Sequence, residues 1–199
     1  MVDEMRAFKH DYKNILSTMA GYIKESQIEE LKKFFYEKMQ LSMGNNESRE
    51  EAWKYLKNIE PMELKGFLYE KLLLAIARDI EIKVDISHNL DVGYEAMEDL
   101  VRVLGILIDN AIEASEILER GMMDIVIVKT ENGVLFRIEN NYKEEPNLSM
   151  ITQNGYSTKG SGRGLGLYWA EKIISEHRDM FHETELSEER FIQILEVSM

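Results

Sequence analysis

The sequence contains no cysteine, only two prolines and no long hydrophobic run. The absence of cysteine excludes a disulfide framework and thiolate metal sites, and it favours an intracellular compartment. No apolar run approaches the ~18 residues of a membrane span, and the N-terminus lacks the basic-then-apolar order of a signal peptide. With 199 residues, 44% of them hydrophobic, the chain can still form a real core in one ordinary domain or two small ones.

Positive charge is scarce in only one part of the chain. Residues 1–59 carry ten Lys and Arg against ten Asp and Glu, whereas residues 60–199 carry 14 against 27, which accounts for the whole net charge of −13. An acidic body without a basic stripe argues against nucleic acid or an anionic membrane as the main partner, because both require phosphate-neutralising cations. The change near Pro61 predicts two domains, residues 1–59 and 60–199.

The first domain is predicted to be helical. From Asp3 to Lys24 a seam of apolar residues recurs at spacings of four, three, four and three: Phe8, Tyr12, Ile15, Met19 and Tyr22. A turn at Ser26 leads to a second helical stretch that breaks around "SMGNNES" and resumes through Trp53 to Ile59. Helices joined by so short a turn pack antiparallel, and because a lone hairpin buries little, we expect two copies to pair into a four-helix bundle.

Beyond Pro61 the pattern predicts an α+β domain. We expect helices over about 62–79 and 94–117, a strand at "IEIKVDI", a hairpin of "DIVIVKT" and "VLFRIEN" around Asn132–Gly133, and a last strand at "FIQILEV". Helices and antiparallel strands in this order indicate a layered α+β structure.

The stretch "STKGSGRGLGL" places a glycine at every second position from Gly160 to Gly166. Such a loop lets main-chain N–H groups approach a phosphate, and a helix beginning at about Arg163 would aim its positive end there. The loop is not a Walker loop, and Leu165 breaks a dinucleotide fingerprint. The alternative is a loop that is merely flexible, which the adjacent Lys159 and Arg163 make less attractive.

The helix "EAMEDLVRVLGILIDNAIEAS" has an apolar stripe that is expected to face a sheet: Met97, Leu100, Val101, Leu104, Ile108 and Ala111. Asp109, Asn110 and Glu113 fall towards its other side, with Val103 and Ile106 beside them. Oxygen ligands suit Mg²⁺ bound with nucleotide phosphates, and an apolar wall suits a purine ring. A solvated surface asparagine is the alternative.

His10 lies opposite the seam of the first helix and is expected to face solvent. Asp11 follows it directly, and Asn14 lies one turn further on the same side. A carboxylate beside an exposed imidazole can accept its proton and leave the other ring nitrogen nucleophilic. An exposed histidine without any role is the alternative.

Together, "FKHDYKNIL", "LIDNAIEAS" and "STKGSGRGLGL" resemble the H-, N- and G-boxes of sensor histidine kinases of the GHKL superfamily, specifically the peptide quorum-sensing branch typified by the Agr-type kinase. The resemblance spans nearly the whole chain in the right order. It implies a dimerising helical hairpin followed by a Bergerat-type α/β sandwich that binds ATP and Mg²⁺. It also implies autophosphorylation of His10 and phosphoryl transfer to an aspartate on the receiver domain of a response regulator.

The resemblance assigns a role to each matching residue. Asp11 becomes the acid–base partner of His10, Asn14 orients water when the phospho-regulator is dephosphorylated, and Asn110 is the Mg²⁺ ligand. The phosphate contacts would come from Lys159, Gly160, Gly162, Arg163, Gly164 and Gly166.

Two positions depart from the family pattern. The D-x-G-x-G box that reads adenine is missing, and Asn140 in "RIENNYKEEP" takes the place of its aspartate. Ile106 stands four positions before Asn110, where many members have asparagine.

Members of this branch carry a multi-span membrane sensor upstream, so the chain is expected to be the cytoplasmic portion of a membrane protein. Two other functions stay open. A histidine phosphotransferase with a vestigial second domain would use His10 without ATP, and a GHKL ATPase would hydrolyse ATP with water.

Overall fold

The computed structural model describes residues 2–38, 46–87, 90–148, 151, 165–187 and 189–199, without the side chains of residues 2–12, 36–38, 46–49 and 51. Contacts divide the chain into two compact units, Met1–Met43 and Gly44–Met199. Ala52, Leu56 and Ile59 are fully buried in the second unit. The division by contacts, between Met43 and Gly44, therefore differs from the domain boundary predicted at residue 59. That residue 59 separates a dimerisation hairpin from an ATP-binding domain stays a prediction.

The first unit contains helices α1, Val2–Lys24, and α2, Ile28–Lys38. The turn between them holds Ser26 at a φ of 56°, and the N–H of Gln27 donates to the carbonyl of Tyr22 at 2.9 Å. A left-handed residue of this kind is a common way to end a helix. The rings of Tyr22 and Phe34 lie 5.7 Å apart, so the seam predicted on α1 meets α2.

The second unit is an α+β domain with one five-stranded sheet. Its elements are α3, Asn46–Tyr55; α4, Met62–Ile76; β1, Glu81–Ile86; α5, Met97–Ser115; β2, Met122–Lys129; β3, Gly133–Asn141; α6, Gly166–Ile174; β4, Met180–Ser187; and β5, Arg190–Ser198. The strand order is β1-β2-β3-β5-β4. The predicted hairpin is confirmed, and Gly133 is needed there because a Cβ would lie 1.9 Å from the carbonyl oxygen of Val197.

The expectation of antiparallel strands is wrong for one pair. β1 and β2 run parallel, with Glu81 opposite Met122 and Ile86 opposite Ile127, so the sheet is mixed. The chain between these strands passes through α5, and a helical crossover returns it in the same direction.

Strand β4 was missed because it lies at the edge of the sheet. Two of its inward positions are the polar His182 and Thr184, and its outward positions include Glu183 and Glu185, so the apolar alternation disappears.

The core lies between the sheet and the helices α4, α5 and α6. Helix α5 is its centre and packs on β3, α4 and α6. Because neighbours cover α5 on several sides, its buried face differs from the predicted stripe. Val103, which was expected outside the stripe, is fully buried, whereas Met97 and Val101, which were expected within it, are only half-buried.

Candidate nucleotide site

Asn110 and Gly166 meet although 56 positions separate them in the sequence. Gly166 is the first residue of α6, three positions later than the helix start expected at Arg163. A Cβ at position 166 would lie 3.2 Å from Ile106 Cγ2, 3.6 Å from Asn110 Oδ1 and 3.8 Å from Asn110 Nδ2. The glycine therefore lets the start of α6 lie directly on the Asn110 amide.

The amide of Asn110 is incompletely hydrogen-bonded. Its Nδ2 is buried and finds no partner in the part of the chain that the structure describes. The neighbouring Asp109 is in contrast paired, because Lys71 Nζ on α4 lies 2.7 Å from its Oδ1. Native proteins leave few buried polar groups unpaired, and those that remain often serve a ligand.

Asn140 lies at the end of β3 on the face that the helices cover and is 1% exposed. Its Nδ2 donates to the carbonyl oxygen of Asn141 at 2.7 Å, whereas its Oδ1 has no partner among the described residues. Sequence reasoning had chosen this residue, and the structure gives it an unused acceptor.

Gln193 on β5 was missed. It is fully buried, its Nε2 donates to the carbonyl oxygen of Leu107 on α5 at 3.2 Å, and its Oε1 is unpaired within the described ranges. The available signal was a glutamine in the inward register of "FIQILEV", between Phe191 and Leu195. We refer to Asn110, Asn140 and Gln193 as the open cluster, because each keeps an unused polar atom.

A second group of polar side chains, the closed cluster, joins the start of α5 to the segment before β4. It consists of Tyr94, Asp99, His177 and Asp179. The Tyr94 hydroxyl donates to Asp179 Oδ1 at 3.0 Å, and His177 Nε2 lies 3.1 Å from Asp99 Oδ2. Burial, followed by the hydrogen bond to Asp179 and the nearby carboxylates, raises the pKa of Tyr94 to about 12.

A magnesium ion could be held here only together with other ligands. Among the described residues no group of three or more His, Asp or Glu could bind a metal ion by itself. A single asparagine oxygen beside the start of a helix fits Mg²⁺ that is shared with a nucleotide, since this ion usually keeps waters and substrate oxygens in its shell.

Several predicted site residues cannot be placed. Lys159, Gly160, Gly162, Arg163 and Gly164 lie outside the described residues, and so do the side chains of His10 and Asp11, whose main chain belongs to α1. Asn14 is exposed on α1, and its carbonyl accepts a hydrogen bond from Thr18 Oγ1 at 2.9 Å. None of the described helices has the length and apolar character to cross a membrane.

A family model of the GHKL domain matches residues 96–198, just over half of the 199 residues. The chain belongs to this family. The matched region contains the whole open cluster, so the residues with unused polar atoms lie within the family's α+β ATP-binding domain.

Two relatives from Halalkalibacterium halodurans match most of the chain. The sensor protein CitS is 27% identical over 185 residues, covering 87% of this chain and 32% of that protein. A protein named as a probable C4-dicarboxylate sensor kinase is 31% identical over 183 residues, covering 87% of this chain and 33% of its own length. The chain thus spans about a third of the length of these relatives.

The histidine kinase ThkA is similar in structure. Its catalytic domain, in a nucleotide-free form, superposes with a TM-score of 0.57 at 25% identity, over 68% of this chain and 92% of that domain. A longer form of ThkA, in complex with the response regulator TrrA, has a TM-score of 0.56 at 17% identity and covers 98% of this chain and 61% of that chain.

Proposed function

We propose that this chain is the kinase portion of a two-component sensor histidine kinase, which transfers the γ-phosphoryl group of ATP to His10 and from there to an aspartate of a response regulator. The observation that carries the proposal is the contact between Gly166 and the incompletely paired amide of Asn110. It joins the N-box helix to the first helix after the glycine loop. The sensor kinases that match the chain support the same activity.

The nucleotide would lie between α5 and the sheet. Asn110 would hold Mg²⁺, which when bound neutralises phosphate charge, and Asn140 would accept a hydrogen bond from adenine. The phosphates would be contacted by Lys159, Arg163 and the main chain of Gly160, Gly162, Gly164 and Gly166. The assignment of Asn140 rests on its unused oxygen, and the phosphate contacts rest on the glycine spacing. Asn110 is assigned from its place beside Gly166, and it would bind Mg²⁺ through Oδ1, because its unpaired Nδ2 is a donor that suits a phosphate oxygen.

The reaction at His10 transfers the γ-phosphoryl group from ADP, the leaving group, to the imidazole of His10, the nucleophile. An imidazole nitrogen of His10 bonds to the γ-phosphorus, the bond to the β,γ-bridging oxygen breaks, and ADP leaves with that electron pair. Asp11 accepts the proton of the other ring nitrogen and keeps the imidazole nucleophilic. Transfer to a receiver aspartate then restores His10.

A homodimer would complete the helical part as a four-helix bundle. In α1, Leu16 and Ile23 stand seven positions apart and are 48% and 59% exposed, and Ile28 at the start of α2 is 49% exposed. Apolar residues at a heptad spacing that remain exposed in one copy are suited to a second copy.

Ile106 favours a kinase over a hydrolase. It lies one helical turn before Asn110 and beside Gly166. In the hydrolases of the GHKL superfamily, a glutamate at this place activates the attacking water, and the isoleucine side chain has no lone pair to do so. The γ-phosphoryl group would wait in a drier site for the histidine.

The partners follow from the same resemblance. ThkA was solved with the response regulator TrrA, which supports a receiver domain as the partner here. A membrane sensor upstream, peptide quorum sensing as the signal class, and phosphatase activity through Asn14 are parts of this proposal.

The test is incubation with γ-labelled ATP and Mg²⁺. We expect label that is lost in acid and kept in base, as for phosphohistidine, and no label on His10→Gln with ATP binding intact. The matched control is Asn14→Ala in the same helix, which should keep labelling but lose dephosphorylation of the regulator. Persistent label on His10→Gln would refute the assignment, and undiminished phosphate release by that variant would favour an ATPase.

A further inference from the structure

Gln193 is a polar residue in the middle of an apolar face. It stands on β5 between Phe191 and Leu195, which point to the same side, and it is fully buried. Its Nε2 is engaged by the Leu107 carbonyl, and only its Oε1 is unpaired within the described chain. An unmet buried acceptor costs about 1–3 kcal/mol, so a glutamine kept here without a ligand would be unfavourable.

Gln193 and Asn140 are neighbours in the sheet. Ile138 pairs with Gln193, and Asn140 pairs with Phe191, so Gln193 and Asn140 are diagonal neighbours on adjacent strands and on one face. Such positions are within about 7–8 Å of each other and can contact one ligand.

Gln193 is anchored on α5 three positions before Asn110. Helix carbonyls point towards the C-terminal end, so the Leu107 carbonyl that holds Gln193 is directed to the turn that carries Asn110. Gln193 is therefore tied to the part of α5 that also carries Asn110.

The orientation of both amides is fixed by their donors. Asn140 Nδ2 is used by the carbonyl of Asn141, and Gln193 Nε2 by that of Leu107. Each residue consequently presents an acceptor, and a ligand that satisfies both must bring two hydrogen-bond donors to neighbouring positions.

We propose that Gln193, together with Asn140, reads the exocyclic amino group of the purine and is a specificity-determining residue of the nucleotide site. The inference rests on the proposed function. The adenine N6 group offers two N–H bonds, one for each carbonyl oxygen. Guanine and hypoxanthine carry an oxygen at that position, which would face two acceptors and be rejected.

The test compares equilibrium binding of ATP and inosine triphosphate to the whole chain in the presence of Mg²⁺. Inosine triphosphate has an oxygen in place of the amino group and carries a hydrogen on the ring nitrogen N1. We expect the wild type to prefer ATP by about tenfold or more. Gln193→Met, of similar size but without the amide, should lose about tenfold in ATP affinity and little in inosine triphosphate affinity.

The matched control is Ile194→Val, since Ile194 lies next to Gln193 but on the opposite face of the sheet, and it should keep the wild-type preference. If Gln193→Met does not fold, Gln193→Asn, which withdraws the carbonyl by one methylene, should narrow the preference instead. A variant that folds and keeps the full preference overturns this inference alone. A wild type that binds neither nucleotide overturns the proposed function as well.

Discussion

The open and closed clusters of the second unit consist of similar polar groups but differ in how their hydrogen bonds are made. In the closed cluster, Tyr94 is paired with Asp179 and His177 with Asp99. In the open cluster, Asn110, Asn140 and Gln193 each keep a buried atom without a partner in the described structure. Both clusters involve α5, so the same helix supports both arrangements.

The difference separates stability from binding. Polar groups that satisfy one another tie segments together, and removing one partner leaves the other buried and unpaired. Polar groups that remain unsatisfied cost stability until a ligand arrives. We therefore expect substitutions in the closed cluster to affect unfolding and substitutions in the open cluster to affect nucleotide affinity.

The largest effect is expected for Asn110→Ala. Loss of the proposed Mg²⁺ ligand should weaken Mg–ATP binding on the order of 100-fold, the scale seen when metal coordination is disturbed. Because Nδ2 has no partner to lose within the described residues, the free energy of unfolding should stay within about 1 kcal/mol of wild type. Calorimetric titration with Mg–ATP and denaturant unfolding measure the two quantities.

The opposite pattern is expected for Asp99→Ala, which leaves His177 without its carboxylate. The unfolding free energy should fall by about 1 kcal/mol, because the pair is partly exposed, while Mg–ATP affinity changes little. Arg102→Ala is the control, because Arg102 is exposed and its ion pair with Asp99 is long, at 3.8 Å, so its removal should change the unfolding free energy little. If Asn110→Ala unfolds easily and Asp99→Ala loses ATP, the comparison between the clusters is wrong.

Alkaline pH should open the closed cluster. The pKa of Tyr94 is raised from 10.0 to about 12 in the folded state, chiefly by burial and then by the hydrogen bond to Asp179. A raised pKa means that its stabilisation is complete below pH about 10 and is lost as pH rises towards 12. The pKa shift corresponds to about 3 kcal/mol of stability.

Unfolding free energies of wild type and Tyr94→Phe, measured between pH 8 and pH 12 in steps, would show the effect. The difference between the two proteins should shrink as the pH rises. A constant difference would mean that Tyr94 keeps its ordinary pKa and that the cluster is held by other contacts.

The long periodic elements of the second unit were predictable from the sequence, and so was part of the site. The turn at Asn132–Gly133 and the stripe of α5 are local patterns, and Asn110 followed from its place beside that stripe. The direction of β1 relative to β2 was not predictable from the sequence, because parallel pairing depends on where the α5 crossover returns the chain.

Residues whose role arises from distant contacts were missed. Gln193 becomes informative only when Leu107, 86 positions away, takes its donor, and His177 only when Asp99 lies beside it. Neither pairing leaves a local pattern, since single polar residues in a strand or after a helix are common. The period of the sequence identifies the inward face, but which polar atoms remain unused depends on the packed structure.

The smallest effects are expected for two glycines in helices. A Cβ at Gly166 would lie 3.2 Å from Ile106 Cγ2, which is tight, and at ordinary contact distance from the Asn110 amide, whereas a Cβ at Gly66 in α4 would meet nothing within 4 Å. Both Gly→Ala changes gain about 0.5–1 kcal/mol of helix propensity. In Gly66→Ala this gain should appear in full as added stability with unchanged ATP affinity. In Gly166→Ala the shift that relieves the crowding at Ile106 should also move Asn110, one turn further along α5, and reduce ATP affinity severalfold, while the crowding cancels the gain in stability. Thermal unfolding and ATP titration of the two variants side by side check this, and equal behaviour of both would show that Gly166 does not set the position of Asn110.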